Sequence, residues 1–184
     1  MKTLRLFSSA AALAASLTLS ILAPMTVRAE EKPFLETVKP YLVHMEDNAL
    51  RPPNDAALSK IKYLAVYYSA HWCPPCRQFT PELVNFYNEV KPNHPEFDLV
   101  FVSDDNSEQE MRQYITEDKM PWLAVRYQFA KMKPAQQYSG SGIPDLVFID
   151  ASSGKVLSDS FKGEDYLGPH KVLGDIRKTL GAGS

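Results

Sequence analysis

The chain has 184 residues, of which 45% are hydrophobic and 23% charged, with a formal net charge of −2 at neutral pH. That length suits one domain able to bury its own core, and the acidic balance argues against nucleic acid and anionic membrane surfaces as partners. The chain carries 2 cysteines and 4 scattered histidines, with no second pair at metal spacing, so neither a disulfide framework nor a structural zinc site is expected.

Residues 1–29 read as a secretory signal peptide. Lys2 and Arg5 supply a positive start, Leu13 to Leu22 lie in an apolar stretch, and Val27-Arg28-Ala29 suits cleavage after Ala29. The apolar stretch is short for a membrane anchor, and no cysteine near the cleavage point supports a lipid-anchored form. Lys2, Arg5 and Arg28 lie in this segment, leaving 17 of the 20 basic residues against all 22 acidic ones, a net of −5. The expected compartment is therefore periplasmic or extracellular, with membrane contact only transient, during export. There a disulfide can form and persist.

The domain expected over 30–184 opens with a polar, proline-broken stretch to Lys60. Its apolar patch at Tyr41-Leu42-Val43 and turn at Arg51-Pro52-Pro53-Asn54-Asp55 predict an edge strand or hairpin. Tyr63 to Tyr68 is a continuous apolar and aromatic run, as in a strand buried on both faces; Phe97 to Val102 and Leu146 to Ile149 read alike. Phe79, Leu83, Phe86, Tyr87 and Val90 recur at helical spacing. Ser107 and Glu110 form a capping box, and Val172, Leu173, Ile176 and Leu180 line a last helix after Pro169. The turn signal Asp150-Ala151-Ser152-Ser153-Gly154 predicts an antiparallel hairpin between Leu146–Ile149 and a strand over Lys155 to Phe161. Strands alternating with helices indicate an α/β fold whose sheet is at least partly parallel.

The chemistry concentrates at Trp72-Cys73-Pro74-Pro75-Cys76-Arg77, between the first buried strand and the first long helix. A cysteine at a helix N-terminus faces unpaired N–H groups and the positive end of the dipole, which favours its thiolate. A second cysteine one turn later is near enough to attack a mixed disulfide on the first. Rival readings are weaker. Haem attachment needs histidine where Arg77 stands. A purely structural bridge would close a very small loop and gain little. Copper handling would draw on 6 dispersed methionines, one of them the initiator. Peroxidase chemistry would want a lone reactive cysteine.

The run Tyr67-Tyr68-Ser69-Ala70-His71-Trp72-Cys73-Pro74-Pro75-Cys76-Arg77-Gln78-Phe79-Thr80-Pro81 resembles the active-site stretch of the thioredoxin superfamily. Phe101-Val102-Ser103-Asp104-Asp105 and Met120-Pro121-Trp122-Leu123-Ala124-Val125 are similar to its tryparedoxin/nucleoredoxin-like branch. Gly142-Ile143-Pro144 matches the family's cis-proline loop, and the likeness runs from Leu58 to Leu180. It implies a thioredoxin-like fold, a central mixed β-sheet flanked by helices on both faces.

The resemblance also implies roles. Cys73 would be the nucleophile and Cys76 the resolving thiol. Pro74 and Pro75 would remove N–H donors from the helix start. Pro144, if cis, would leave the Ile143 backbone free to pair with an extended substrate. Trp72, and less readily Trp122, would form an apolar platform. Arg77 and His71 would lend charge to the thiolate, or else simply face solvent, and Asp104 and Asp105 would end a strand. Tyr67 stands where thioredoxins carry a buried aspartate, as the tryparedoxin-like branch also has it. Asp145 stands where thioredoxins usually have threonine. It would either raise the Cys73 thiol or act as the missing proton acceptor for Cys76; the second is the expectation.

The implied activity is reduction of protein or small-molecule disulfides, with an unidentified electron donor or acceptor. No metal, flavin or nucleotide is required, because the redox-active Cys73–Cys76 disulfide carries the electrons. The alternatives are donation of that disulfide to secreted clients, or a non-catalytic binding module on the same fold.

Overall fold

The computed structural model describes residues 32–182; the expected signal segment 1–29 lies outside them. A short helix α1 (Phe34–Val38) leads through a 3-10 turn into β1 (Leu42–Glu46) and β2 (Ala49–Arg51). These two pair antiparallel, as the expected hairpin. Its turn is Asp47-Asn48, both at positive φ, a region that short polar side chains tolerate. The Arg51–Asp55 stretch instead ends β2 and starts α2 (Asp55–Leu58), whose first turn Asn54 caps by accepting from the Ala56 N–H at 2.8 Å.

Then follow β3 (Tyr63–Ser69), α3 (Pro74–Val90), β4 (Phe97–Ser103), α4 (Glu108–Glu117), β5 (Leu123–Val125) and α5 (Tyr127–Ala130). The chain closes with β6 (Asp145–Asp150), β7 (Val156–Asp159), a small ribbon of β8 (Phe161–Lys162) and β9 (Asp165–Tyr166), and α6 (Pro169–Leu180). The main sheet runs β2-β1-β5-β4-β3-β6-β7. β3, β4 and β5 are parallel, and both flanks are antiparallel, so the sheet is mixed.

Side-chain alternation assigns the two faces. Ala65, Tyr67, Phe101, Leu146 and Phe148 pack with α3, α4 and α6 in one core cluster. Leu64, Val66, Tyr68, Val147 and Ile149 pack with α1, α2 and α5 in the other. Each fully buried large apolar side chain contributes about 1.5–3 kcal/mol, so both layers are needed to hold β3 in place.

The last hairpin differs from the expectation. β7 stops at Asp159, whose carboxylate accepts from the Phe161 N–H at 2.7 Å and turns the chain into the β8–β9 ribbon. Phe161 therefore belongs to a separate element packed near the proline loop. Ser107 caps α4 as expected, accepting from the Glu110 N–H at 3.1 Å; the Glu110 carboxylate reaches back to the Asn106 N–H rather than to Ser107.

Candidate active site

β3 delivers the chain to the carboxyl edge of the sheet, where Ala70-His71-Trp72 turns it into α3. Cys73 is the N-cap of α3, and its sulfur accepts from the Cys76 N–H at 3.3 Å. Pro74 and Pro75 occupy the first two helical positions, so they bring no N–H donors. Within that turn the Cys76 amide is the donor left for the sulfur. The cysteines are joined in a disulfide, with their Cα atoms 5.2 Å apart. Cys73 keeps 3% of its surface and Cys76 none.

The turn before Cys73 is clamped from below. Buried Asp105, just past β4, accepts from the His71 N–H at 2.6 Å and from the Ser103 hydroxyl at 2.8 Å. Burial pushes its carboxyl up, against the pull of those two bonds. Asp105 therefore does more than end a strand. The clue in the sequence was topological: β3 and β4 are parallel neighbours, so residues leaving β4 emerge beside the turn that leaves β3.

Beneath Cys76 lie four neutral hydroxyls. Thr80 donates to the Cys76 carbonyl at 2.9 Å, and Tyr67 bonds Thr80 at 2.8 Å. Tyr114 bonds both Thr80 and Ser69. Burial pushes the Tyr67 and Tyr114 hydroxyls up, so both stay protonated. Nothing in the spacing of Thr80 or Tyr114 marks them; only the packed helices bring them to Tyr67.

The opposite wall is the segment leading into β6. The Ile143–Pro144 peptide bond is cis, and the Cys73 sulfur lies 3.8 Å from the Ile143 carbonyl oxygen. Ile143 packs with Ala70 and the two cysteines. Trp72 stands beside this contact with 54% of its surface exposed, its indole N–H directed at the Asp104 carbonyl at 3.3 Å. A cleft of about 250 Å³ opens there, lined by Trp72, Asp104, Gly140, Gly142 and Ile143 among others.

Four of the residues singled out in the sequence are placed differently. Trp122 is buried in the core, edge-on to Tyr67 and Tyr87, so bulk burial and not a substrate platform accounts for it. Arg77 is committed to Glu117 at 2.9 Å and Asp118 at 3.5 Å, and His71 also meets Glu117, at 3.0 Å. Their charge is thus shared with acids at the end of α4. Asp145 shares the sheet face of Val147 and Ile149, opposite the face that carries α3. Its carboxylate accepts from the Gly140 N–H at 2.8 Å, which points it at the proline loop and away from the side where Cys76 would need an acceptor.

A disulfide-bonded Cys-x-x-Cys pair at a helix N-terminus, on a mixed sheet and against a cis-proline loop, is an arrangement suited to thiol–disulfide exchange. A family model described as Thioredoxin-like matches residues 60–156. Nucleoredoxin from Danio rerio is 41% identical over 121 residues, 65% of this chain and 28% of that protein. Tryparedoxin from Trypanosoma brucei brucei is 34% identical over 116 residues, 60% of this chain and 77% of that protein. Among solved structures, tryparedoxin II from C. fasciculata matches with a TM-score of 0.57 at 32% identity, covering 69% of this chain and 86% of that one. The chain belongs to the thioredoxin-like family, in its tryparedoxin/nucleoredoxin-like branch. It spans 28% of the length of the Danio rerio nucleoredoxin.

Proposed function

We propose that the protein reduces disulfides, with Cys73 as attacking thiolate and Cys76 as resolving thiol. The observation that carries this reading is the Cys73 sulfur at the N-cap of α3, facing both the Cys76 amide and the cis-proline loop. In the reduced protein the Cys73 thiolate attacks one sulfur of a substrate disulfide. The substrate S–S bond breaks, one substrate thiolate leaves and takes a proton, and a mixed disulfide remains. Cys76 then loses its proton and attacks the Cys73 sulfur, expelling the second substrate thiolate. Two electrons have moved to the substrate, and a thiol reductant must restore the Cys73–Cys76 pair. The two sulfurs suffice as electron carriers, so the reading requires no metal, flavin or nucleotide.

Substrate docking is assigned to Trp72 and the backbone of Ile143, which flank the sulfur, with Pro144 shaping the loop between them. An extended segment laid against Ile143 would form strand-like hydrogen bonds and rest a side chain on the indole. The leading 1–29 segment is read as an export signal, which would place this chemistry in a periplasmic or extracellular compartment. Export predicts that the processed protein begins at Glu30 by intact mass.

The test is insulin reduction with dithiothreitol as electron donor. Cys73→Ser should abolish turnover above background, and Cys76→Ser, reduced and then mixed with substrate after dithiothreitol is removed, should accumulate a covalent adduct that added dithiothreitol releases. Turnover retained in Cys73→Ser, or no adduct with Cys76→Ser, would overturn the assignment. Direction of electron flow follows from the potential: about −270 mV marks a reductase and about −120 mV an oxidant of clients.

A further inference from the structure

The proline loop is held by a second buried pair on the sheet face away from α3. Tyr68 and Asp145 are cross-strand partners on β3 and β6, and both side chains are completely buried. The Tyr68 hydroxyl donates to the Ala135 carbonyl at 3.0 Å and accepts from the Tyr138 N–H at 3.2 Å. Asp145 accepts from the Gly140 N–H at 2.8 Å. Phe161 packs so tightly on Gly140 that a Cβ there would come within 2.3 Å of its ring. Tyr166 donates to the Pro144 carbonyl at 2.8 Å. The segment from Ala135 to Pro144 is thus fastened by four side chains, of which Asp145 is the one carboxylate.

We infer that Asp145 is a positioning residue whose ionised carboxylate fixes the Gly140–Ile143 loop for substrate docking, making docking depend on pH. The inference rests on the thiol-exchange reading above, with the Ile143 backbone as docking edge. A hydrogen bond to a carboxylate is markedly stronger than one to the neutral acid, so protonation loosens the grip on Gly140. Burial, opposed by the Gly140 bond, pushes the Asp145 carboxyl up to about 7. The groups around it are Asp159 at the end of β7 and Ser160 just beyond it, Tyr68 on β3 and Tyr166 on β9. Asp159 raises the carboxyl further, while the Ser160 hydroxyl donates its proton to the Leu146 carbonyl at 3.0 Å. One Asp145 oxygen has no hydrogen-bond partner among the described residues, so the ionised form relies on the Gly140 amide.

Two measurements on the whole protein test this. In ¹⁵N-labelled protein, the Gly140 amide shift is followed from about pH 5.5 to about pH 8.5. It should inflect near neutrality in wild type and stay flat in Asp145→Asn; a flat wild-type curve, or an inflection that survives the substitution, overturns the inference. In insulin reduction, KM should rise about five-fold in wild type as pH falls across that range, and not in Asp145→Asn. Asp145→Thr serves the same purpose should the asparagine variant fold poorly. A KM profile shared by wild type and variants overturns the inference. The kcat profile, which follows the thiols, should be alike in all three. Complete absence of thiol exchange would sink the proposed function, while the Gly140 titration would still decide the role of Asp145.

Discussion

Tyr67 and Tyr68 are adjacent on β3 and point to opposite faces of the sheet, yet each uses its hydroxyl to fasten one wall of the same site. Tyr67 reaches Thr80 on the cysteine helix; Tyr68 reaches Ala135 and Tyr138 at the start of the proline loop. The difference lies in their company. Directly beneath Cys76 the partners are neutral hydroxyls, whereas beside Tyr68 stands Asp145, a buried carboxylate with one oxygen unpaired. Sensitivity to pH near neutrality is therefore built into the loop wall, apart from the thiols themselves.

The largest expected effect comes from removing that asymmetry. Asp145 binds more protons folded than unfolded between its ordinary value near 3.8 and its folded value near 7. Stability should therefore fall as pH rises through that window, by at most about 4 kcal/mol. In Asp145→Asn the decline should vanish, a difference read from urea midpoints across the window. Next in size is Tyr68→Phe. It strips the Tyr138 amide and the Ala135 carbonyl of their shared partner at once, and should cost about 2 kcal/mol. Tyr67→Phe should cost about 1 kcal/mol, because Thr80 keeps its bonds to Cys76 and Tyr114. Equal costs at the two tyrosines would break the comparison.

What the sequence revealed of this arrangement divides along physical lines. The buried strands, the cysteine helix, the hairpin and the dithiol follow from local periodicity and spacing, and the structure bears out the fold they imply. The three-residue β5 carries too short a pattern to declare itself, and α1, α2 and α5 are a single turn or little more. Asp105 and Asp145 show how far local reading reaches. Locally, Asp105 reads as the end of a strand and Asp145 as an acid beside Pro144, but the work of each depends on which neighbour the sheet brings beside it, the His71 amide for one and the Gly140 amide for the other. Alternation along β6 would already have separated Asp145 from the α3 face, because Leu146 and Phe148 carry the opposite parity. Thr80 and Tyr114 needed the packed helices to be seen at all.

The smallest effect belongs to the acid on the other wall, and it sharpens the contrast by its sign. Glu117 accepts from Gln113, His71 and Arg77, and these bonds hold its carboxyl down at about 2. A depressed carboxylate contributes stability that is present above its ordinary value near 4.5 and is lost as pH falls toward 2. Glu117 is exposed, so the contribution is small and weakened by salt. Glu117→Gln should then lower the urea midpoint slightly and equally across the neutral range, leaving intact the decline that Asp145 imposes. The deficit should shrink only in acid. A Glu117→Gln variant whose midpoint no longer falls between about pH 4 and about pH 7 would assign that slope to the cysteine wall and remove it from the loop.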